Sequence, residues 1–569
     1  MADTAYAAAP IRLRVHWTDR TGHFALGILA LALAGFLAGP LFSILAQSVE
    51  DARGDFAGLE NFSAYFASPA LAQSLWNSVW VSALVTTVVV PAAFIFAYAI
   101  ARSCMPLRSI FRILALTPLL APSLLAAISF IYWFGNQGVL KDWMQAIGIA
   151  QIYGAPGIIL SQIFSVFPHA LMILITALSL ADARLYEAAD ALGTRRARKF
   201  FTITLPGAKY GLASAAMVTF TLVITDFGIP KVIGGNFNVL ATDVFKLVIG
   251  QQDFQKGAVV AIFLLAPALL TFVVDRFVQR KQTSMLSARA VPYSPRPSRA
   301  FDRVMFGYCS LVLLAMLAVI GMAVFASLVK FWPYDLSFSL RHYTLGLVDH
   351  EAGSAFLNSL RLAFFTAIAG TAIVFVGAYL VEKTRGADWL RPVVQLLALL
   401  PMAVPGLVLG LGYIFYFNAP NNPLNFLYHT MTILVICTIV HFYTTGHLTA
   451  VTALKALDTE FESVSASLKV PFWKTFWRVT LPICTPALVD ISRYFFINAM
   501  TTISAVVFLY SPDTQLASVM ILSLDEAGEI GAAAAMAVLI AAASLAVCIL
   551  YLGLGWLLER RTQAWRTSK

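Results

Sequence analysis

The chain alternates between long apolar runs and short polar stretches. Runs long enough to cross a bilayer, about 17–25 residues each, recur near 23–46, 76–101, 110–134, 156–180, 208–228, 256–275, 304–329, 355–380, 392–417, 429–451, 484–510 and 530–557. The lipid core offers no water to satisfy backbone groups, and these runs are too long and continuous for barrel strands. The pattern therefore predicts an all-α polytopic membrane protein with about twelve transmembrane helices. The first run follows a basic leader, and Ile44-Leu45-Ala46 offers a small-residue cleavage site. The run is too long for a cleaved signal and is read as an uncleaved first span.

The pattern repeats. Leu59-Glu60-Asn61-Phe62 matches Leu340-Arg341-His342-Tyr343, Asn77-Ser78 matches Asn358-Ser359, and Ala97-Tyr98 matches Ala378-Tyr379, each 281 apart. Pro118 and Pro122 match Pro401 and Pro405, 283 apart, and Leu205-Pro206 matches Leu481-Pro482, 276 apart. An ordered series with a nearly constant offset implies one unit used twice. Six spans per unit is an even number, so the two halves are parallel repeats. The chain divides into an N-terminus, first span and outside loop (1–70), a first transmembrane domain (71–276), a Pro-rich basic linker (277–303), a span and outside loop (304–353), a second transmembrane domain (354–558) and a tail (559–569).

Composition agrees: of 569 residues, 59% are hydrophobic and 12% charged, with mean hydropathy +0.79. The net charge of +10 resides in alternate loops. Arg12, Arg14 and Arg20, then Arg102, Arg108 and Arg112, then Arg195 to Lys199, mark one side, and Glu50, Asp51, Asp55 and Glu60 lie on the other. The positive-inside rule places both termini and the 187–206 loop in the cytoplasm. The five cysteines show no pairing pattern, and His169, His441 and His447 are not spaced as metal ligands, so no metal site is expected.

The 187–206 loop carries the most specific signal. It reads Glu187-Ala188-Ala189, three residues, Gly193, nine residues, then Ile203-x-Leu205-Pro206. Leu185, Ala188, Ala189 and Leu192 share a helical face, and Gly193 permits a sharp turn. On residues alone this is an amphipathic surface helix with solvated arginines. The full spacing resembles the EAA coupling loop of type-I ABC importer permeases, in which a short helix inserts into a cleft on the ATPase. In the second half Ser463 stands opposite Glu187, with Glu462 adjacent, and Lys469 opposite Gly193, which puts a left-handed turn there in doubt. Leu481-Pro482 still closes the loop.

The resemblance implies a fused double permease in the inner membrane, transporting rather than catalysing. It would carry two copies of a separate ATPase, which binds ATP and Mg, and receive solute from an external binding protein. No phosphate loop of the Gly-x4-Gly-Lys-Ser/Thr type occurs. Loops 48–75, 229–255 and 331–354 are candidates for docking the binding protein. Thr225 to Lys231 and Met500 to Val507 look most like permeases for 2-aminoethylphosphonate, and more distantly like ferric-iron and thiamine permeases.

Candidate path residues are Pro118, Pro122, Pro401 and Pro405, which are either tolerated kinks or unwound stretches lining the path. Asp226, Asp490, Arg493, Thr501, Thr502 and Ser504 are polar groups in spans, and such groups are functional candidates by default. Asp490 and Arg493 stand three apart on one helix face, where an internal ion pair competes with substrate contact. An ion-coupled secondary transporter also fits twelve spans in repeats. A membrane enzyme does not, for want of a convergent acid, base or metal constellation.

Overall fold

A computed structural model describes residues 17–179, 182–285, 293–348, 350–383, 389–458, 460–468 and 470–562. Arg12, Arg14, Lys469, part of the linker and the last residues of the tail lie outside them. Among the described residues, nine helices are long and apolar enough to cross a membrane: Arg20–Val49, Pro69–Arg102, Ala155–Ser179, Arg196–Thr225, Phe254–Val278, Arg299–Leu328, Glu351–Lys383, Met431–Lys455 and Ile530–Leu558. They are spans 1, 2, 4, 5, 6, 7, 8, 10 and 12 of the expected series.

The other three depart from the expected continuous runs. Span 3 is a pair, Arg108–Leu120 and Leu124–Phe134, bent by 99°, and span 9 is Leu390–Ala403 and Gly406–Phe417, bent by 114°. Angles this large are breaks rather than kinks. Each first helix ends in a 3-10 turn, Thr117–Leu120 or Leu400–Ala403, containing Pro118 or Pro401. Ala121 and Val404 follow these turns, both extended, the conformation favoured ahead of a proline; Pro122 and Pro405 then redirect the chain. Span 11 is the 17-residue helix Thr485–Thr501, shorter than the run 484–510. Its partner, span 5, also stops early, at Thr225.

The repeated residues do matched work in the two halves. Asn77 donates to the Asn238 carbonyl (3.0 Å) and Ser78 accepts from Leu240 N–H (2.8 Å). Asn358 donates to the Asp513 and Gln515 carbonyls (2.9 and 3.2 Å) and Ser359 accepts from Ala517 N–H (2.8 Å). Both pairs thus satisfy backbone groups at the starts of short helices, Leu240–Phe245 and Ala517–Glu526, which lipid would leave unpaired. Asn61 ties down the Ser48 carbonyl (3.0 Å) as His342 does the Val329 carbonyl (2.9 Å).

The halves exchange their first spans. Tyr413 of span 9 donates to the Phe36 carbonyl of span 1 (2.7 Å), within a π turn at Ala34–Ala38. In the mirror position Trp133 of span 3 donates to the Ala318 carbonyl of span 7 (3.3 Å). The 229–255 stretch is not an open loop, contrary to expectation: Ile229, Pro230, Val232, Ile233 and Leu240 to Val244 are buried. Its apolar content is packed chiefly against spans 2, 3, 4 and 6 of the first half rather than left as a free docking surface.

Candidate functional site

The first loop folds as its spacing predicts. Asp182 accepts the Arg184 N–H (3.1 Å) and starts the helix Ala183–Ala191. Ala183 and Tyr186 face inward, and Glu187 and Ala188 are exposed with Leu185 and Leu192, at 59% and 83%; Ala189 is half-buried. The apolar stripe is turned away from the protein. Gly193 ends the helix at φ +62°. Thr194 N–H reaches the Ala189 carbonyl (2.9 Å) and Gly193 N–H the Asp190 carbonyl (3.0 Å), which pairs the last helical carbonyls. Asp190 pairs with Lys199 and lies 3.7 Å from Arg296. The Lys199 hydrogen bond holds its carboxyl below the ordinary range.

The second loop keeps this plan with other residues. Helix Glu460–Ser467 carries exposed Phe461 and Val464, and Leu468 follows at 70% exposure. They border a groove of about 600 Å³ with Val470, Lys474 and Arg478. Ser463 is exposed, and Glu462 pairs with nearly buried Lys383 (2.5 Å). Val470 N–H reaches the Ser465 carbonyl (2.9 Å), the counterpart of the Thr194 bond. Lys469, between them, lies outside the described residues.

The loops end inside helix, not before it. Span 5 already begins at Arg196 and passes through a π turn at Phe200–Thr204; the second half repeats this at Phe476–Thr480. Leu205 N–H bonds to the Phe200 carbonyl, and Leu481 N–H to that of Phe476. Pro206 and Pro482 follow at once. A proline cannot donate to the residue four back and its ring crowds that carbonyl, so a wider turn at this place relieves both problems. The aromatic repeat Tyr98/Tyr379 packs on the turns, against Phe200 (5.4 Å) and Phe476 (4.8 Å). Tyr186 hydroxyl meets Thr204 (2.9 Å), which fixes the short helix to the start of span 5.

Of the path candidates, Pro122 and Asp226, and Pro405 and Ser504, lie where the broken spans meet the ends of spans 5 and 11, whereas Asp490 and Arg493 lie well before the end of span 11. Asp226 accepts from Gln162 (2.9 Å), Ile229 N–H (3.0 Å) and Ser123 (3.5 Å). Ser123 overhangs Gly228, where a Cβ would lie 3.1 Å from its Oγ. The second half exchanges the two residue types: a Cβ on Gly406 would lie 2.7 Å from the Ser504 Oγ. Thr502 is buried, and its carbonyl accepts from Ser518 (2.6 Å). Thr501 bonds back to the Ile497 carbonyl (3.1 Å). Asp490 and Arg493 pair with each other at 2.9 Å, Asp490 being 57% exposed.

Sequence reasoning missed the contacts between halves. Lys231 pairs with Glu526 (2.7 Å) and lies 5.0 Å from the Phe245 ring. Phe245 stacks on Phe508 at 6.0 Å. Burial, then repulsion from Glu526, push the neighbouring Asp525 carboxyl up to about 6, with Lys231 opposing. Nothing local in the sequence couples positions 231 and 526. Among the described residues no group of three metal-ligating side chains forms.

Residues 89–285 and 373–564 match the family described as binding-protein-dependent transport system inner membrane component. The chain belongs to this family. The permease is thus a fused double unit, a multi-pass inner-membrane transport subunit of an ABC importer whose ATPase is a separate chain, and the secondary-transporter reading falls. It is 27% identical to the ferric transport system permease protein FbpB of Actinobacillus pleuropneumoniae, over 84% of this chain and 70% of that one. It is 27% identical to the thiamine transport system permease protein ThiP of Brucella abortus, over 68% and 69%. The sulfate transport system permease protein CysW of Escherichia coli matches at 23% over 45% of this chain and 87% of that one.

Proposed function

We propose that the permease moves 2-aminoethylphosphonate or a related phosphonate inward between its two halves, driven by two ATPase copies seated on the two loops. The observation that carries the mechanical part is the repeated device of an outward-turned apolar helix joined through a π turn to a span. Leu185, Ala188 and Leu192 on one loop, and Phe461, Val464 and Leu468 on the other, offer compact apolar surface to a cleft. ATP and Mg belong to the ATPase. Both loops and both termini face the cytoplasm, as the arginine-rich sides require.

A movement of the short helix reaches span 5 through Tyr186 and Thr204, and span 5 ends at Asp226 beside the broken span 3. The Lys231–Glu526 pair and the Phe245–Phe508 stack close the opposite side and part when cargo passes. Asp226 is occupied as a helix cap and Arg493 is paired with Asp490. Neither is free to hold an aminophosphonate, so selection falls to the binding protein.

The phosphonate reading rests on the texture of residues 225–231 and 500–507. A ferric cargo is the second reading, favoured by the similarity to FbpB over 84% of this chain. Calorimetry on the cognate binding protein separates them. Binding of 2-aminoethylphosphonate supports the first; ferric binding without it overturns the first and leaves the second.

A further inference from the structure

We propose that residues 293–302, the end of the linker between the halves, form a strap that positions the Ala183–Ala191 helix and ties it to the first span of the second half. The proposal rests on the reading of that helix as an ATPase contact. Tyr293 packs against Tyr186, with ring centroids 4.6 Å apart and the planes tilted by 51°. The Arg102 guanidinium, at the end of span 2, lies 4.5 Å from the Tyr293 ring and 5.1 Å from that of Tyr186. Arg102 is only 7% exposed, and it also donates to the Leu178 carbonyl at 2.9 Å. A desolvated cation beside two aromatic rings is a strong form of this contact.

Polar contacts extend the attachment. Arg196 donates to Ser298 (2.8 Å), Arg296 reaches Asp190 (3.7 Å), and Asp302 accepts from the N–H groups of Cys104 and Ser298 (both 2.9 Å). Span 7 begins at Arg299 without a break and packs on spans 2 and 3 of the first half. A displacement of the Ala183–Ala191 helix is therefore shared with the second half through the chain itself. The second loop has a different fastening at the matching place: Lys383, 281 after Arg102, pairs with Glu462, 276 after Tyr186.

The test uses the full chain reconstituted with its ATPase and binding protein. It compares Tyr293→Ala with Tyr293→Phe, and reads ATPase association, ATP hydrolysis and solute uptake separately. Tyr293→Ala should keep the ATPase bound and hydrolysing while uptake per ATP falls on the order of tenfold, the scale of one desolvated cation–π contact. Tyr293→Phe, which retains the ring, should restore the ratio. If Tyr293→Ala does not fold, Arg196→Met should lower the ratio in the same direction, and an unchanged ratio there overturns the strap. With ATPase retained and the ratio unchanged in Tyr293→Ala, the strap alone is overturned. An unsubstituted chain that holds no ATPase overturns the docking reading and the strap with it.

Discussion

Replacing Gly193 isolates the shape of the first loop from its chemistry. The residue sits at φ +62°, and a Cβ placed there meets no atom within 4 Å. The cost of a side chain is therefore purely backbone, about 1–2 kcal/mol for an ordinary residue in the left-handed region. That shifts the population of the docking-competent turn by roughly 5- to 30-fold. Asparagine tolerates the region and should cost least, alanine should fall in between, and β-branched valine should cost most. Co-purification of a limiting amount of ATPase with Gly193→Asn, Gly193→Ala and Gly193→Val reads the order directly, and ATP-driven uptake should follow it. Asparagine as damaging as valine, or valine without effect, would refute the claim that the turn's backbone sets the contact.

Other outcomes follow from single contacts. Gly406→Ser should destabilise the chain by about 1–3 kcal/mol through overpacking against Ser504, the Ala505 N–H and His441, and adding Ser504→Gly should recover the part due to the 2.7 Å contact, measured as thermal unfolding in detergent. Asp525 has its pKa raised to about 6 from 3.8. Its favourable contribution is thus fully present below about pH 4 and lost as pH rises through 6, so Asp525→Asn should raise the melting temperature at pH 7 and leave it unchanged at pH 4. Gly193→Asp should impair ATPase binding more than Lys469→Asp; equal losses reject the inequality of the two loops.

Much of the architecture was legible because it is written locally. The spans follow from apolar run length, and the constant offsets among Asn77-Ser78, Tyr98, Pro118 and Leu205-Pro206 mark the duplication. What those residues do was not legible. Pro118 and Pro122 mark a disturbance, but whether it is a kink or a 99° break depends on what packs against it, here Gly228 beside Ser123. Leu-Pro flags a helix start, yet the π turn ahead of it forms within a helix that the hydropathy pattern had placed in a loop. Arg102 reads as a topology arginine until folding brings Tyr186 and Tyr293 beside it. Lys231 and Glu526 are 295 positions apart and pair only because the halves meet there. Span 11 is shorter than its apolar run because residues 502–510 are apolar core without being helix.

The most direct test of the account is uptake into vesicles holding the permease, with binding protein outside and ATPase added on the face bearing residues 187–206. Uptake should require ATP and be abolished when Leu185 and Leu192 are both changed to aspartate. Uptake that persists on an ion gradient without ATP, or that is indifferent to those two substitutions, would contradict it.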